Sequence, residues 1–221
     1  MDVQLYYEEK GAEMPLVLLH GNGSSGAYFA HQLDAFAVGY RVILVDTRGH
    51  GRSPRGTAPF TIRQFADDLA DFLEAQSIKK AHILGFSDGA NIAMCFAAKY
   101  PERVEKLILD GGNLYPRGVS FGIRLRIAIE YISARLFSKD TVEMLELMTK
   151  QPDISLEELS RITAKTLVMA GTKDLIKRSH TEMIAKNIRQ SRLCLIPGDH
   201  FIAAQNPDAF NQAVLAFLEE A

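Results

Sequence analysis

Residues 81–90 read AHILGFSDGA and carry the strongest pattern in the chain. A short apolar run leads into Gly-Phe-Ser-Asp-Gly, and an apolar, helix-forming run follows over residues 91–98. This order predicts a strand, a tight turn and a helix, with Ser87 at the apex of the turn. Such a turn needs small residues two positions before and two after the serine, and glycine stands at both. The stretch therefore predicts an accessible serine hydroxyl at a helix N-terminus, where backbone N–H groups favour negative charge.

Short apolar runs alternate with amphipathic runs along most of the chain. The predicted strands cover residues 3–8, 15–19, 41–45, 81–86, 104–109, 165–170 and 192–196. The predicted helices cover residues 27–37, 61–76, 88–100, 176–188 and 206–220. Helices of this length between strands are typical of βαβ units, which build a mostly parallel central sheet with helices on both faces. The pattern therefore predicts the α/β fold class.

The alternation is interrupted between residues 113 and 162. Three helical patterns lie in this segment, at residues 117–137, 141–150 and 156–159. Apolar residues at every second position of 121–129 leave a strand open there, although we prefer a helix. We expect residues 1–112 and 163–221 to form the core, and residues 113–162 to form a small helical cap over one end of the sheet.

Composition and charge describe an ordinary globular chain. The 221 residues are 47% hydrophobic and 24% charged, which suits one sizeable core. The net charge of −2 creates no field that would attract nucleic acid or an anionic membrane, and no run is long enough to span a bilayer. The N-terminal sequence MDVQ lacks the features of a signal peptide, and both cysteines lie in apolar runs. We therefore expect a cytoplasmic protein.

Chemically special residues follow four of the predicted strands. Ser87 follows one strand, Asp174 lies in GTKD after another, and His200 lies in GDH after the last. The motif HGNG at residues 20–23 follows an earlier strand. Because ligands of open parallel sheets bind at the carboxyl ends of the strands, we expect these residues to lie close together.

The chain resembles the α/β-hydrolase family from about residue 3 to the C-terminus. The resemblance rests on five motifs: HGNG at 20–23, DTRGHGRS at 46–53, GFSDGA at 85–90, GTKD at 171–174 and GDH at 198–200. The order of serine, acid and histidine is also the one that this fold uses. The resemblance implies an α/β-hydrolase fold and a serine hydrolase, and it implies that the DTRGHGRS loop is mainly structural.

A serine hydroxyl is a poor nucleophile until a base removes its proton. His200 can act as that base, and Asp174 can hold the second ring nitrogen and stabilise the imidazolium. The backbone N–H of Asp88 and, by resemblance to the family, that of Asn22 would bind the oxyanion. Asp110 also ends a strand and competes for the acid's role, because some members of the family place the acid there. We favour Asp174.

The substrate is expected to be a small ester, thioester or lactone. The helical cap would cover the acyl pocket with an apolar side formed by Phe121, Leu125, Ile129, Ile132 and Phe137, of which we take Phe121 and Leu125 as substrate-binding residues. Asp88 is the third residue that we take as substrate-binding, although its side chain could instead complement the helix dipole; if it faces the pocket, it would select a cationic acyl group. The Ser-Asp-Gly turn resembles that of family members that cleave amino-acid esters.

Other functions remain open on the same residues. Hydrolysis of a carbon–carbon bond, a cofactor-free peroxidase or lyase reaction, and ligand binding without catalysis are all known in the family that the chain resembles. The sequence has no phosphate-binding GxGxxG motif after the first strand and no cysteine–histidine spacing of a metal site. We expect no metal and no cofactor. The expected partner is a small acyl substrate, with no nucleic acid and no membrane, and a homodimer stays open.

Overall fold

A computed structural model of the chain describes residues 2–136 and 138–220. Seven strands form one sheet in the order β1-β3-β2-β4-β5-β6-β7, with β1 antiparallel to β3 and every other neighbouring pair parallel. The strands are β1 (Tyr7–Lys10), β2 (Pro15–Leu19), β3 (Arg41–Val45), β4 (Ala81–Phe86), β5 (Val104–Asp110), β6 (Lys165–Gly171) and β7 (Ser191–Ile196). The prediction of a mostly parallel sheet is confirmed.

Helices connect the strands and cover both faces of the sheet. They are α1 (Ala30–Phe36), α2 (Ile62–Ala75), α3 (Asp88–Lys99), α4 (Phe121–Ala134), α5 (Lys139–Thr149), α6 (Leu156–Ser160), α7 (Arg178–Asn187), α8 (Ile202–Gln205) and α9 (Pro207–Glu219). The four residues of α8 were not predicted, because so short a helix has no periodicity to detect. The first strand begins at Tyr7, four residues after its predicted start at residue 3, because pairing with β3 begins only at Tyr7.

The strand residues point alternately into two separate apolar clusters. Val17 and Leu19 of β2 belong to the cluster that includes residues of α2, α3 and α7. Leu16 and Leu18 belong to the other cluster, which includes residues of α1, α8 and α9. Successive side chains of a strand face opposite sides of a sheet, so an uninterrupted apolar run is the pattern of a strand covered on both faces.

Three helices, α4 to α6, lie between β5 and β6, where the alternation of the core is interrupted. Residues 121–134 form a helix, which excludes the strand that the sequence left open there. Ile127 and Ala134 of α4 pack against Leu145 of α5. Leu147 of α5 and Leu159 of α6 join the large apolar cluster of the core. The segment is therefore continuous with the core, and its description as a cap insertion stays a prediction.

Among the described residues, no helix combines the length and the apolar character that crossing a bilayer requires.

Candidate active site

The turn after β4 holds Ser87 in a strained backbone conformation. Ser87 has φ 54° and ψ −119°, and α3 begins at the next residue. A Cβ atom at Gly85 would lie 2.2 Å from the carbonyl oxygen of Gly89, and one at Gly89 would lie 2.0 Å from that of Leu19. Both positions therefore require glycine. Positive φ at a serine costs energy, and such strain is common where a side chain must be presented for function.

His200 lies between Ser87 and Asp174. Its Nε2 atom is 3.0 Å from Ser87 Oγ, and its Nδ1 atom is 2.8 Å from Asp174 Oδ1. The Asp174 carboxylate also accepts hydrogen bonds from the backbone N–H groups of Ile176, at 2.8 Å, and Gly171, at 3.4 Å. The side chains of His200 and Asp174 are both buried. The three predicted residues are thus brought together at the carboxyl ends of β4, β6 and β7.

The His200 ring is confined by its neighbours. Phe86 lies against it with ring centroids 4.9 Å apart, and Phe201 with centroids 5.5 Å apart. Gly111, at φ 63°, lies on another side, where a Cβ atom would come within 2.7 Å of His200 Cε1. The ring therefore has little freedom to turn away from Ser87.

Asp110, the competing acid, lies at the end of β5 and is fully buried. Both of its carboxylate oxygens lack a hydrogen-bond partner among the described residues. Burial, assisted by the negative charge of Asp174, raises its pKa well above the ordinary value, which favours the protonated form. The histidine is bonded to Asp174 instead, and this geometry favours Asp174 as its partner.

The loop that carries Asn22 is tied to α5. Asn22 Nδ2 donates to the carbonyl of Met144 at 2.7 Å, and Asn22 Oδ1 lies 3.3 Å from His50 Nε2. Next to it, His20 Nδ1 lies 2.7 Å from the Gly21 carbonyl and its Nε2 accepts from the Thr47 N–H at 3.1 Å. The loop is therefore held on two sides by hydrogen bonds, which fixes the direction of its backbone N–H groups.

The DTRGHGRS loop at residues 46–53 is anchored by buried charges. Asp46 accepts hydrogen bonds from the backbone N–H groups of Gly26 and Arg52. Arg48 is completely buried and makes a two-pronged ion pair with Asp68 of α2 at 2.6 and 2.7 Å. Each of these groups is used to hold backbone or a neighbouring element, which agrees with the structural role that was expected for the loop.

Asp88 is buried directly beside Ser87. Its Oδ1 accepts from Asn91 Nδ2 at 3.0 Å, while its Oδ2 has no partner among the described residues. Burial raises the pKa of the Asp88 carboxyl to about 7, although the hydrogen bond from Asn91 and the charge of His200 act in the opposite direction. Asn91 in turn bonds Asn113. The result is a polar corner that holds one unsatisfied acceptor.

A cavity of about 180 Å³ opens onto Ser87, His200 and Asp88. Its walls are mostly apolar, which suits the acyl part of a small molecule. Helix α5 contributes Leu147 and Met148, and the loops contribute Asn22 and Gln151. The remaining lining residues are Gly21, Ser24, Tyr28, Phe86, Asn113, Val119, Leu175, Ile176 and Phe201.

The expected roles of Phe121 and Leu125 in substrate binding are wrong. Both side chains are exposed on the outer side of α4, as are Ile129 and Ile132, and the cavity is lined by α5 instead. The reason is that α4 is apolar on two opposite sides, and its inner side packs on α5 rather than on the cavity. Phe137, which was expected on the same surface, lies outside the described residues.

Three other histidines are buried away from Ser87 and Asp174 or bonded to the backbone. Burial lowers the pKa of His20, His82 and His180 to about 4, so these rings are neutral near pH 7. His180 Nε2 accepts a hydrogen bond from the Leu114 N–H at 2.9 Å. In the part of the chain that the structure describes, no three His, Cys, Asp or Glu side chains are grouped as metal ligands.

Known proteins resemble this chain in sequence and in fold. A family model described as "alpha/beta hydrolase fold" matches residues 14–140. The human serine hydrolase BPHL is 31% identical over 243 residues, covering 98% of this chain and 84% of its own. The chain belongs to the α/β-hydrolase family. A solved hydrolase structure from Pseudomonas aeruginosa PA01 superposes on this α/β-hydrolase with a TM-score of 0.80 at 26% identity, covering 99% of this chain and 95% of its own.

Another relative carries a different chemistry in its name. The 2-hydroxy-6-oxononadienedioate/2-hydroxy-6-oxononatrienedioate hydrolase of Paraburkholderia phymatum is 33% identical over 193 residues, covering 85% of this α/β-hydrolase and 65% of its own chain.

Sequence analysis missed most of the cavity wall of this α/β-hydrolase. Leu147 and Met148 are adjacent in α5, and their side chains look like ordinary core residues in the sequence. Tyr28 and Phe86 stack in parallel with ring centroids 4.3 Å apart, and both line the cavity. Of these four residues, only Phe86 could have been recognised as a cavity residue from the sequence, because it directly precedes the predicted nucleophile.

Proposed function

We propose that this α/β-hydrolase is a serine hydrolase that cleaves a small ester, thioester or lactone through an acyl-enzyme on Ser87. The observation that carries the proposal is the continuous hydrogen-bonded path from Ser87 Oγ to His200 Nε2, at 3.0 Å, and from His200 Nδ1 to Asp174 Oδ1, at 2.8 Å. A nucleophile, a base and a group that orients the base are the parts that acyl transfer to water requires.

In the first half-reaction, Ser87 Oγ attacks the acyl carbon while His200 Nε2 takes the hydroxyl proton. Asp174 stabilises the imidazolium that forms and holds the ring in the required tautomer. The oxyanion accepts hydrogen bonds from the N–H groups of Asp88 and Asn22. The first N–H groups of a helix have no partner within the helix, so the start of α3 favours a negative charge there. Losing one such donor typically costs about 3 kcal/mol of transition-state stabilisation.

The collapse of the tetrahedral intermediate expels an alcohol or a thiol, which receives the proton from His200. In the second half-reaction, water attacks the acyl-enzyme with His200 again as the base. The acid leaves, and Ser87 regains its proton. The same histidine thus acts as base and acid in turn, and no redox change occurs.

The cavity supports a small acyl group. Its volume of about 180 Å³ lies below the 300–1,000 Å³ that is typical of sites for drug-sized ligands. Its apolar wall includes Phe86, Val119, Leu147 and Ile176. We therefore expect short or medium acyl chains to react faster than long ones.

Asp88 supports a narrower substrate class, an acyl group that carries an amine or another N–H donor. Asp88 is part of the cavity wall and its Oδ2 is buried without a partner among the described residues, and a buried acceptor without a partner favours a donor from the ligand. A cationic amine would also favour the ionised form of this carboxyl, whose pKa stands at about 7. The expectation that Asp88 faces the pocket is part of this proposal.

The relative from Paraburkholderia phymatum supports a second candidate, the hydrolysis of a carbon–carbon bond in a substrate like the one its name states. The same serine and histidine would be used, but a diacid substrate would need cationic groups in the cavity. The lining residues include His200 but neither lysine nor arginine. This difference favours ester-type cleavage.

Labelling with a fluorophosphonate tests the proposal. We expect one stoichiometric adduct on a peptide that contains Ser87, and the Ser87→Ala variant should give none. Purified protein should also hydrolyse short p-nitrophenyl esters, and Ser87→Ala should lose this activity by about 10⁴-fold or more. Absence of an adduct on correctly folded protein would instead favour a ligand-binding protein without catalysis.

A matched pair of substrates tests the narrower class. The kcat/KM values of a p-nitrophenyl aminoacyl ester and of the acyl ester with methyl in place of the amino group should differ by at least about tenfold, in favour of the amine. In Asp88→Asn this preference should disappear. Equal values in the unmodified protein would contradict the role of Asp88 and leave the serine hydrolase proposal intact.

The cysteines support a reducing location for the protein. The structure has two free cysteines, Cys95, which is buried, and Cys194, which is partly buried. Burial raises the pKa of the Cys95 thiol to about 12, so the thiol is unreactive near pH 7. We retain the cytoplasm as the proposed location, since free thiols suit a reducing compartment.

A further inference from the structure

Helix α4 presents a continuous apolar surface to the solvent. Five large side chains on it are between 51% and 75% exposed: Phe121, Leu125, Ile129, Ile132 and Leu136. They recur at intervals of four, four, three and four residues, so they follow one line along the helix and the turn that ends it. We name this surface the α4 stripe.

The fold does not need the α4 stripe. The side of α4 that the core uses carries Ile127 and Ala134, which pack on Leu145 of α5. At 100° per residue, the stripe lies on the opposite side of the helix from these two residues. Exposed apolar residues are common singly, but a row of five on one side of a helix is typical of an interaction surface.

Arginines border the α4 stripe on both edges. Arg124 and Arg135 lie along one edge and Arg126 along the other, at the same 100° per residue. The Arg124 guanidinium lies 5.8 Å from the centre of the Phe121 ring. The acid in this stretch, Glu130, lies closer to the inner side. The α4 stripe is therefore an apolar row between cationic edges, which complements an apolar surface that carries negative charge.

This charge pattern disfavours a second copy of the chain. In a twofold interface each surface contacts its own equivalent. Antiparallel pairing of two α4 stripes would place the edge with Arg124 and Arg135 against the same edge of the other copy. Like charges at helix–helix contacts are destabilising.

We propose that the α4 stripe docks the protein reversibly on an anionic lipid surface. Helices that lie in a bilayer interface combine an apolar side with basic flanks, as α4 does. The proposed contact is peripheral: α4 would lie on the lipid surface without crossing it, and no helix among the described residues could span a bilayer. The net charge of −2 argued against a membrane partner, but it averages over the whole chain and conceals the local excess of arginine on α4.

Co-sedimentation with lipid vesicles tests the proposal. The unmodified protein should bind vesicles of phosphatidylcholine with about one third phosphatidylglycerol, and bind pure phosphatidylcholine at least about tenfold more weakly. Binding should also weaken as salt is raised, because salt screens the arginines.

Two variants and a matched control sharpen this test. Ile129→Asp should lower the partition coefficient by at least about tenfold, since it puts a charge at the centre of the apolar row. Arg126→Glu with Arg135→Glu should remove the preference for anionic lipid. Val38→Asp is the control, because Val38 is 90% exposed and lies after α1, away from α4. It should bind as the unmodified protein does.

Fluorophosphonate labelling and melting temperature show whether each variant is folded, and neither should change, because the cavity wall includes no stripe residue. The proposal is overturned if the unmodified protein ignores anionic vesicles, or if Ile129→Asp binds them equally well. A dimer by light scattering that Ile129→Asp dissociates, or an acidic amphipathic peptide that binds α4 where vesicles do not, would also overturn it. None of these outcomes affects the proposed hydrolase activity.

Discussion

The carboxyl ends of β4, β6 and β7, which we call the rim, and helix α4 differ in what directs their side chains. At the rim, Ser87, Asp174 and His200 each follow a strand, and the strands are held in register by backbone hydrogen bonds. In α4, no backbone pairing decides which side turns inward. That choice depends on packing against α5, where Ile127 and Ala134 meet Leu145.

The positions of residues at the strand ends can be inferred from the sequence, whereas the orientation of α4 cannot. Parallel strands end at one edge, so residues that follow strands meet there whatever the details of side-chain packing. A helix with apolar residues on two sides fits a core from either side, and its sequence alone leaves the choice undecided. If the rim is as sharply defined, and α4 as independent of the site, as this contrast implies, substitutions at the rim should lower activity far more than substitutions on the outer side of α4.

The largest expected effect separates the two acids at the rim. Asp174→Asn should lower kcat by about 10⁴-fold, because the amide no longer stabilises the imidazolium or fixes the tautomer of His200. Asp110→Asn is the matched control, and it should change kcat by less than about tenfold, since His200 is bonded to Asp174. Steady-state hydrolysis of a p-nitrophenyl ester measures both. A larger loss from Asp110→Asn than from Asp174→Asn would reverse the assignment of the acid.

The second effect is on stability and concerns Asp88. Its carboxyl holds a proton up to about pH 7 in the folded protein but loses it near pH 3.8 in the unfolded chain. The folded state therefore binds more protons between these values, so the free energy of unfolding falls as pH rises, by about 4 kcal/mol in total. Asp88→Asn should remove this fall.

Denaturant melts of the unmodified protein and of Asp88→Asn between pH 4 and 8 measure the difference. Titration of the neutral histidines affects both proteins alike, and so cancels in the comparison. Asp34→Asn, at an exposed position in α1, serves as the control and should follow the unmodified protein. If the curves for Asp88→Asn and the unmodified protein run parallel, the Asp88 carboxyl is not buried as described.

A smaller effect tests the connection between the rim and α5. Asn22→Ala keeps the backbone N–H that is proposed to bind the oxyanion but removes the hydrogen bond to Met144. We expect kcat to fall by about tenfold with little change in KM, because a loosened donor stabilises the transition state less well. Asn22→Asp is a second variant; it keeps the shape but places an acceptor where Nδ2 donates, and it should fall at least as far. An unchanged kcat in both would show that the loop is held without this bond.

The smallest effect compares helices α5 and α4 directly. Met148→Ala, in the cavity wall, should lower kcat/KM for a butyryl ester by about three- to tenfold through lost apolar contact. Leu125→Ala, on the outer side of α4, should change it by less than about twofold. Soluble substrate and the absence of lipid keep membrane docking out of this comparison. A stronger effect from Leu125→Ala would mean that α4 contributes to the site after all.

The sheet and the rim were predictable from sequence because backbone rules fix them. The unbroken apolar run at residues 15–19 indicated a strand covered on both faces, and GFSDG indicated a turn that only glycine neighbours permit. The assignment of Asp174 over Asp110 could be argued from order along the chain. The choice between them needed the position of one ring nitrogen.

The cavity wall was not predictable because it depends on helix rotation and on loops. Met148 lines the cavity, while Leu125 points to solvent, and nothing in the sequence distinguishes their environments. Asn22 was expected to act through its backbone, and its side-chain bond to Met144 joins residues 122 positions apart. Contacts over such separations leave no local trace in the sequence.

Gly111 is a position at which a single small substitution would move the His200 ring. The His200 ring rests against a backbone position where one methyl group would come within 2.7 Å of Cε1. Gly111→Ala would keep Ser87, His200 and Asp174 and yet displace the His200 ring from its position between the other two. Such a variant would bind an ester without hydrolysing it, and it could be used to isolate the natural substrate from a cell extract.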